Sequence, residues 1–150
     1  MMRLVPLMIC LLSSFSISAQ EVRFLNFEST SSSNLPFSKA TQVGELLFLS
    51  GELGVDPKTG KLVKGGIKPE SKQVMINISA TLKHFNSSLD RVAKCTVFLA
   101  DIKEWSQFND VYRTFFKGNY PARSAVAGSG IGLDARVEVE CIAVVNDAGK

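Results

Sequence analysis

The sequence predicts an α+β fold, a sheet with two helices packed on one face. Three observations carry that expectation. Runs of β-forming residues recur along the chain, two segments between them show apolar residues at helical spacing, and the last two strands follow one another like a hairpin. The predicted order is β-β-α-β-α-β-β, with room for one further strand at the start.

Val22 to Asn26 makes a short first strand, and Ser29 to Asn34 is a polar, serine-rich loop before Leu35-Pro36-Phe37-Ser38. Gln42 to Ser50 reads as one strand, and its apolar run Leu46 to Leu49 suggests burial on both faces. Asp56-Pro57-Lys58-Thr59-Gly60 is a turn, because proline fixes φ and glycine supplies a positive one. A helix follows Pro69, with Val74, Ile78, Leu82 and Phe85 on its buried face, and Asn86-Ser87-Ser88 ends it. Val92 to Leu99 is a strand. Asp101 is placed as an N-cap, with Glu104 completing a box-like pair. Trp105, Phe108, Val111, Tyr112 and Phe115 form the apolar face of the second helix, and Arg123 to Ala127 and Arg136 to Val145 are the last strands. Helices on one side leave the other face of the sheet uncovered, so self-association through that face is expected.

The chain of 150 residues suits one domain with a real core. Its net charge of +3 is small and scattered, with no basic stripe interleaved with aromatics, which argues against a nucleic-acid partner. The first nineteen residues stand apart. Arg3 is followed by the apolar stretch Leu4 to Leu12 and the small-residue stretch Ser13 to Ala19, with Ile17 and Ala19 suited to a cut before Gln20. This predicts a signal peptide over 1–19 and a mature domain over 20–150. The protein is then exported, periplasmic or secreted, and free of the membrane after cleavage, since the apolar run is short for a span. Cys95 and Cys141 remain, both in apolar strand patterns. The expectation is two buried thiols, with pairing open to them if their strands are neighbours.

Most candidate chemistry fails on residue supply. His84 is the single histidine and suits a helix C-terminus, which leaves neither a metal-ligand cluster nor a Ser-His-Asp triad. Gly128-Ser129-Gly130-Ile131-Gly132 leads into a strand rather than a helix, so it is a turn and not a phosphate cradle. Along Arg136 to Val145, alternation puts Val137, Val139, Cys141 and Ala143 on one face and Glu138, Glu140, Ile142 and Val144 on the other. Two glutamates on a partly apolar face are either a solvated surface or a site. Arg123, at the mouth of its strand, has the rigid fork of donors that clamps a small carboxylate.

Pro36-Phe37-Ser38-Lys39-Ala40, Phe48-Leu49-Ser50-Gly51 and Asp56-Pro57-Lys58-Thr59-Gly60 are followed along the chain by Lys94 to Asp101, Phe108-Asn109-Asp110-Val111-Tyr112, Pro121-Ala122-Arg123-Ser124 and Glu138 to Ala143. Together, in order and over nearly the whole mature chain, these segments resemble the RidA family, also called YjgF or L-PSP. The resemblance implies a chorismate-mutase-like α+β fold assembled as a homotrimer, with clefts between subunits. It implies hydrolysis of reactive 2-imino and enamino acids, such as 2-iminopropanoate or 2-iminobutanoate, to 2-keto acids and ammonia, without metal or organic cofactor. The carboxylate-holding arginine falls on Arg123, the water-positioning glutamate on Glu138 and the cleft serine on Ser50. Phe37, Asn109 and the main chain around Ala125 line the cleft. Phe37 stands where tyrosine is common, and Glu52 where glutamine is common, adding negative charge close to Ser50. Two other readings are a non-catalytic trimer that binds small carboxylates and a ribonuclease, the latter without a second histidine or a basic patch.

Overall fold

The computed structural model describes residues 20–27 and 35–146. The expected signal peptide lies outside them, as does the serine-rich loop Ser29 to Asn34. Among the described residues, nine strands and two α-helices follow in order: β1 (Val22–Leu25), β2 (Ala40–Val43), β3 (Leu46–Leu49), β4 (Glu52–Leu53), β5 (Val55–Asp56), β6 (Lys61–Leu62), α1 (Ile67–His84), β7 (Val92–Leu99), α2 (Trp105–Tyr112), β8 (Ala122–Ala127) and β9 (Val137–Val144). The main sheet runs β1-β2-β3-β9-β7-β8, with β4 also on β9, while β5 and β6 form a small hairpin of their own. β7 and β8 pair in parallel, and the other partners are antiparallel.

The α+β expectation holds, with three corrections to its strands. Gln42 to Ser50 is not one strand, because Gly44 (φ 57°) turns the chain and makes β2 and β3 a hairpin. Within β3 only Leu47 and Leu49 are buried; Leu46 is exposed and Phe48 half-buried, so one face is covered and not both. The last two strands do not form a hairpin. β8 returns through α2 to lie parallel to β7 at the sheet edge, and β9 inserts between β7 and β3. The connection between them is pinned at the end of β7, where Gly128 N–H donates to Leu99 O and Ala100 N–H to Arg136 O.

α1 starts two residues before Pro69, which sits in the first turn where a missing N–H has no helical partner to lose. Its Val74, Ile78 and Leu82 are fully buried against Leu47, Val97, Val137, Val139 and Ala143, and Phe85 packs at the margin. Asn77 Nδ2 ties the helix to β4 and to the β5–β6 hairpin by donating to Leu53 O and Val55 O, each at 2.9 Å. Asp101 does act as a cap, accepting from Lys103 N at 2.9 Å, but the turn it opens is a 3-10 turn over Ile102–Glu104. Glu104 closes no box. Its carboxylate is taken by Arg136, with Nη2 at 2.8 Å. Trp105 is 46% exposed rather than packed inward, while Phe108 and Tyr112 are buried.

Cys95 and Cys141 are joined as a disulfide, which overturns the expectation of two thiols. They are cross-strand partners in the β7–β9 ladder, and their Cα atoms lie 4.1 Å apart on the helix-covered face. Pairing needs the two Cα atoms close together, and that closeness depends on β9 lying beside β7.

Candidate active site

Arg123 and Glu138 lie on opposite faces of the same sheet. Arg123 is level with Cys95 in the parallel β7–β8 ladder, and so shares the helix-covered side. Its guanidinium lies over the rings of Tyr112 (4.7 Å) and Phe108 (5.5 Å). Nη2 donates to Asn109 Oδ1 at 2.6 Å. Among the described residues no carboxylate pairs with it, unlike Arg136, whose charge Glu104 meets. A half-buried guanidinium held by a neutral amide and two π-faces keeps its remaining donors for an anion. Ala125, two residues on, packs partly against the core. β8 is an edge strand, so part of its main chain is unpaired within this chain.

Glu138 stands between Val137 and Val139, both fully buried, and therefore faces the uncovered side. It is reached by an irregularity in the neighbouring strand. β3 pairs Phe48 with Ile142, and β4 pairs Glu52 with Val139, so four steps on one side match three on the other. The extra residue is accommodated at Ser50-Gly51, a bulge of the kind that re-aims side chains beside sites. The Glu138 carboxylate lies directly over the Gly51 Cα. A Cβ built there would collide with Glu138 Oε1 and come within 2.7 Å of Cδ. Burial, reinforced by the neighbouring Glu140 charge, raises the Glu138 pKa from its ordinary value.

Ser50 is held in this corner. Its hydroxyl donates to Ser38 O at 2.7 Å, and its N–H donates to Lys39 O at 3.1 Å. Phe37, next to Ser38, stands 56% exposed at the same lip. The six expected residues therefore form two groups within one chain: Arg123, Asn109 and Ala125, then Glu138, Ser50 and Phe37.

Glu52 does not add free negative charge beside Ser50. It is 5% exposed and turned to the helix-covered side, where Lys39 Nζ lies 2.7 Å from Oε1 and Thr81 Oγ1 donates to the same oxygen at 2.8 Å. Lys39 thus ties the Phe37–Ser38 lip to β4, just beyond Ser50. Sequence reasoning missed this pair, the role of Gly51 and the ring beneath Arg123. Only the last had a readable signal, since Phe108, Tyr112, Phe116 and Tyr120 recur every four residues. The glycine-rich stretch expected as a turn does connect β8 to β9, with Leu133 (φ 60°) and Asp134 (φ 57°) in a following 3-10 turn.

The family model described as Endoribonuclease L-PSP matches residues 28–145. A 2-iminobutanoate/2-iminopropanoate deaminase of Bos taurus is 43% identical over 109 residues, 73% of this chain and 80% of that one. Protein HMF1 of Saccharomyces cerevisiae is 43% identical over 120 residues, 80% of this chain and 92% of its own length. Among solved structures, yeast YEO7 superposes with a TM-score of 0.78 at 40% identity, covering 84% of this chain and 100% of that one. RidA from an Antarctic Psychrobacter gives a TM-score of 0.71 at 34% identity, over 73% and 89% of the two chains. With a match across most of its length and relatives at this identity, the chain belongs to the RidA/YjgF/L-PSP family.

Proposed function

We propose that the protein hydrolyses 2-imino acids of the 2-iminobutanoate and 2-iminopropanoate class to 2-keto acids and ammonia, in a cleft completed by a second copy of the chain. The observation that carries this reading is Arg123, a fixed guanidinium without a carboxylate partner among the described residues. The name of the 43% identical bovine relative supports the reaction class.

Arg123 holds the substrate carboxylate with the donors that Asn109 leaves free, and so fixes the imine carbon in place. Glu138 supplies the base. Burial raises its pKa, which makes its carboxylate a better proton acceptor than an exposed glutamate. As a water oxygen bonds to the imine carbon, a water proton passes to Glu138, the C=N π electrons move to nitrogen, and Glu138 hands that proton on to the nitrogen. The resulting amino alcohol collapses. Glu138 then takes the hydroxyl proton as C=O forms and the C–N bond breaks, and delivers it to the departing nitrogen, which leaves as ammonia. One water is consumed; one 2-keto acid and one ammonia are released.

The two groups lie on opposite faces of one sheet, so one copy's arginine group needs another copy's glutamate group. A homotrimer that covers the open sheet face, where Phe48 and Ile142 are only half-buried, supplies such clefts. Export is part of the proposal, and the Cys95–Cys141 bond supports it, since disulfides persist in oxidising compartments. Ammonia release from freshly generated 2-iminobutanoate, above the buffer rate, tests the activity. Saturable binding of the keto acid without release would replace it with the binding-module reading.

A further inference from the structure

We propose that Tyr112 is the positioning residue for Arg123, and that it acts through its ring rather than its hydroxyl. The inference rests on the deaminase reading for its consequence in catalysis, and on geometry alone for the contact. The Arg123 guanidinium centres 4.7 Å from the Tyr112 ring, closer than its 5.5 Å to Phe108. Asn109 Oδ1 takes one of its N–H groups at 2.6 Å. One hydrogen bond fixes a single point of a planar cation. A π-face beneath it sets the plane, and with it the direction in which the free donors point.

The ring cannot easily move. Tyr112 is 4% exposed and stands in a ladder with Phe108 (5.4 Å between centroids) and Phe116 (4.8 Å), which continues to Tyr120 (6.2 Å). This ladder runs from the core to the rim of the hollow that Arg123 lines with Trp105, Asn109 and Tyr120. The hydroxyl contributes nothing visible to this arrangement. It is the one buried side-chain polar atom among the described residues without a hydrogen-bond partner. Burial keeps it protonated, its pKa pushed up to about 12, so it is no base or anion near neutral pH.

Three replacements at position 112 test the idea: Tyr112→Phe, Tyr112→Met, and a series of ring-fluorinated phenylalanines that withdraw electron density at nearly constant shape. Two readouts are taken. Restricted rotation of the Arg123 guanidinium is followed by NMR in the protein without ligand, and KM and kcat are measured with 2-iminobutanoate. Tyr112→Phe should leave both within about twofold, whereas Tyr112→Met should free the guanidinium and raise KM about tenfold with kcat little changed. Guanidinium mobility and KM should both rise step by step with fluorination, a series that keeps the test alive if Tyr112→Met fails to fold. A flat fluorination series overturns the proposal, as does a loss in Tyr112→Phe equal to that in Tyr112→Met. If the unaltered protein turns over no imine, the deaminase reading falls, while the NMR series still decides the role of the ring.

Discussion

Arg123, Asn109 and Tyr112 are assembled by one helix and the strand that follows it, whereas Glu138, Gly51 and Ser50 are drawn from strands far apart in sequence. In the first region, Asn109 and Tyr112 lie three apart on α2, so one helical face presents both to the start of β8. In the second, an extra residue in the β3–β4 strand, a glycine without Cβ and a half-buried carboxylate must coincide. The arginine region holds its own charge in place by local order. The glutamate region tunes one by burial. Two such regions on opposite faces of a sheet serve one reaction only when chains meet.

The largest expected effect comes from removing the clamp. Arg123→Ala should lower kcat/KM for 2-iminobutanoate by roughly 10³-fold, since two charge-assisted hydrogen bonds are lost, with the melting temperature little changed. Arg123→Lys should recover only part of this, because a point charge lacks the fork. Full activity in Arg123→Ala would remove the arginine region from the mechanism.

Glu138→Gln should cost roughly 10²- to 10³-fold in kcat. It should also raise the melting temperature at neutral pH, an effect that separates the two regions. The folded-state pKa of Glu138 is raised, so the folded protein holds this proton to higher pH than the unfolded chain. The associated stability is complete below the unfolded pKa and is lost as pH rises through the folded one. Gln cannot ionise and escapes that loss. In the unaltered enzyme, kcat/KM should fall as pH drops through the same folded pKa, at a higher pH than an ordinary carboxylate would give. Lower thermal stability in Glu138→Gln would contradict the burial argument.

Structural links should matter less to turnover. Replacing Cys95 and Cys141 together by alanine should lower stability by about 2–4 kcal/mol, as expected for a bond spanning 46 residues, with activity retained once folded. Labelling of the denatured, unreduced protein should find neither thiol free. Lys39→Met should cost about 1–2 kcal/mol, less than for a fully buried pair because the lysine is partly exposed, and should affect kcat through the Ser50 corner. Urea melts decide both.

Much of the fold was legible in the chain, because helical spacing at Val74, Ile78 and Leu82 and alternation along Val137 to Val144 follow from which side is buried. Most of what escaped depended on strand order. The Cys95–Cys141 bond and the parallel β7–β8 pairing turn on that order, with β9 on one side of β7 and β8 on the other, which no local period encodes. The split of 42–50 into a hairpin rests instead on the single turn at Gly44. The site divides the same way. Arg123 and Asn109 could be singled out from motif and spacing, and so could Glu138. The bulge at Gly51, and the Lys39 partner that neutralises Glu52, come from cross-strand contacts.

The most direct test of the account is complementation between two inactive proteins. Arg123→Ala and Glu138→Gln chains are unfolded together, refolded at equal amounts, and assayed with 2-iminobutanoate, with mixed assembly verified by native mass spectrometry. If each cleft takes its arginine from one copy and its glutamate from the next, random assembly rebuilds about a quarter of the sites, and ammonia release returns to that share of the unaltered rate. Mixed trimers that form but remain as inactive as either parent would contradict a site shared between chains.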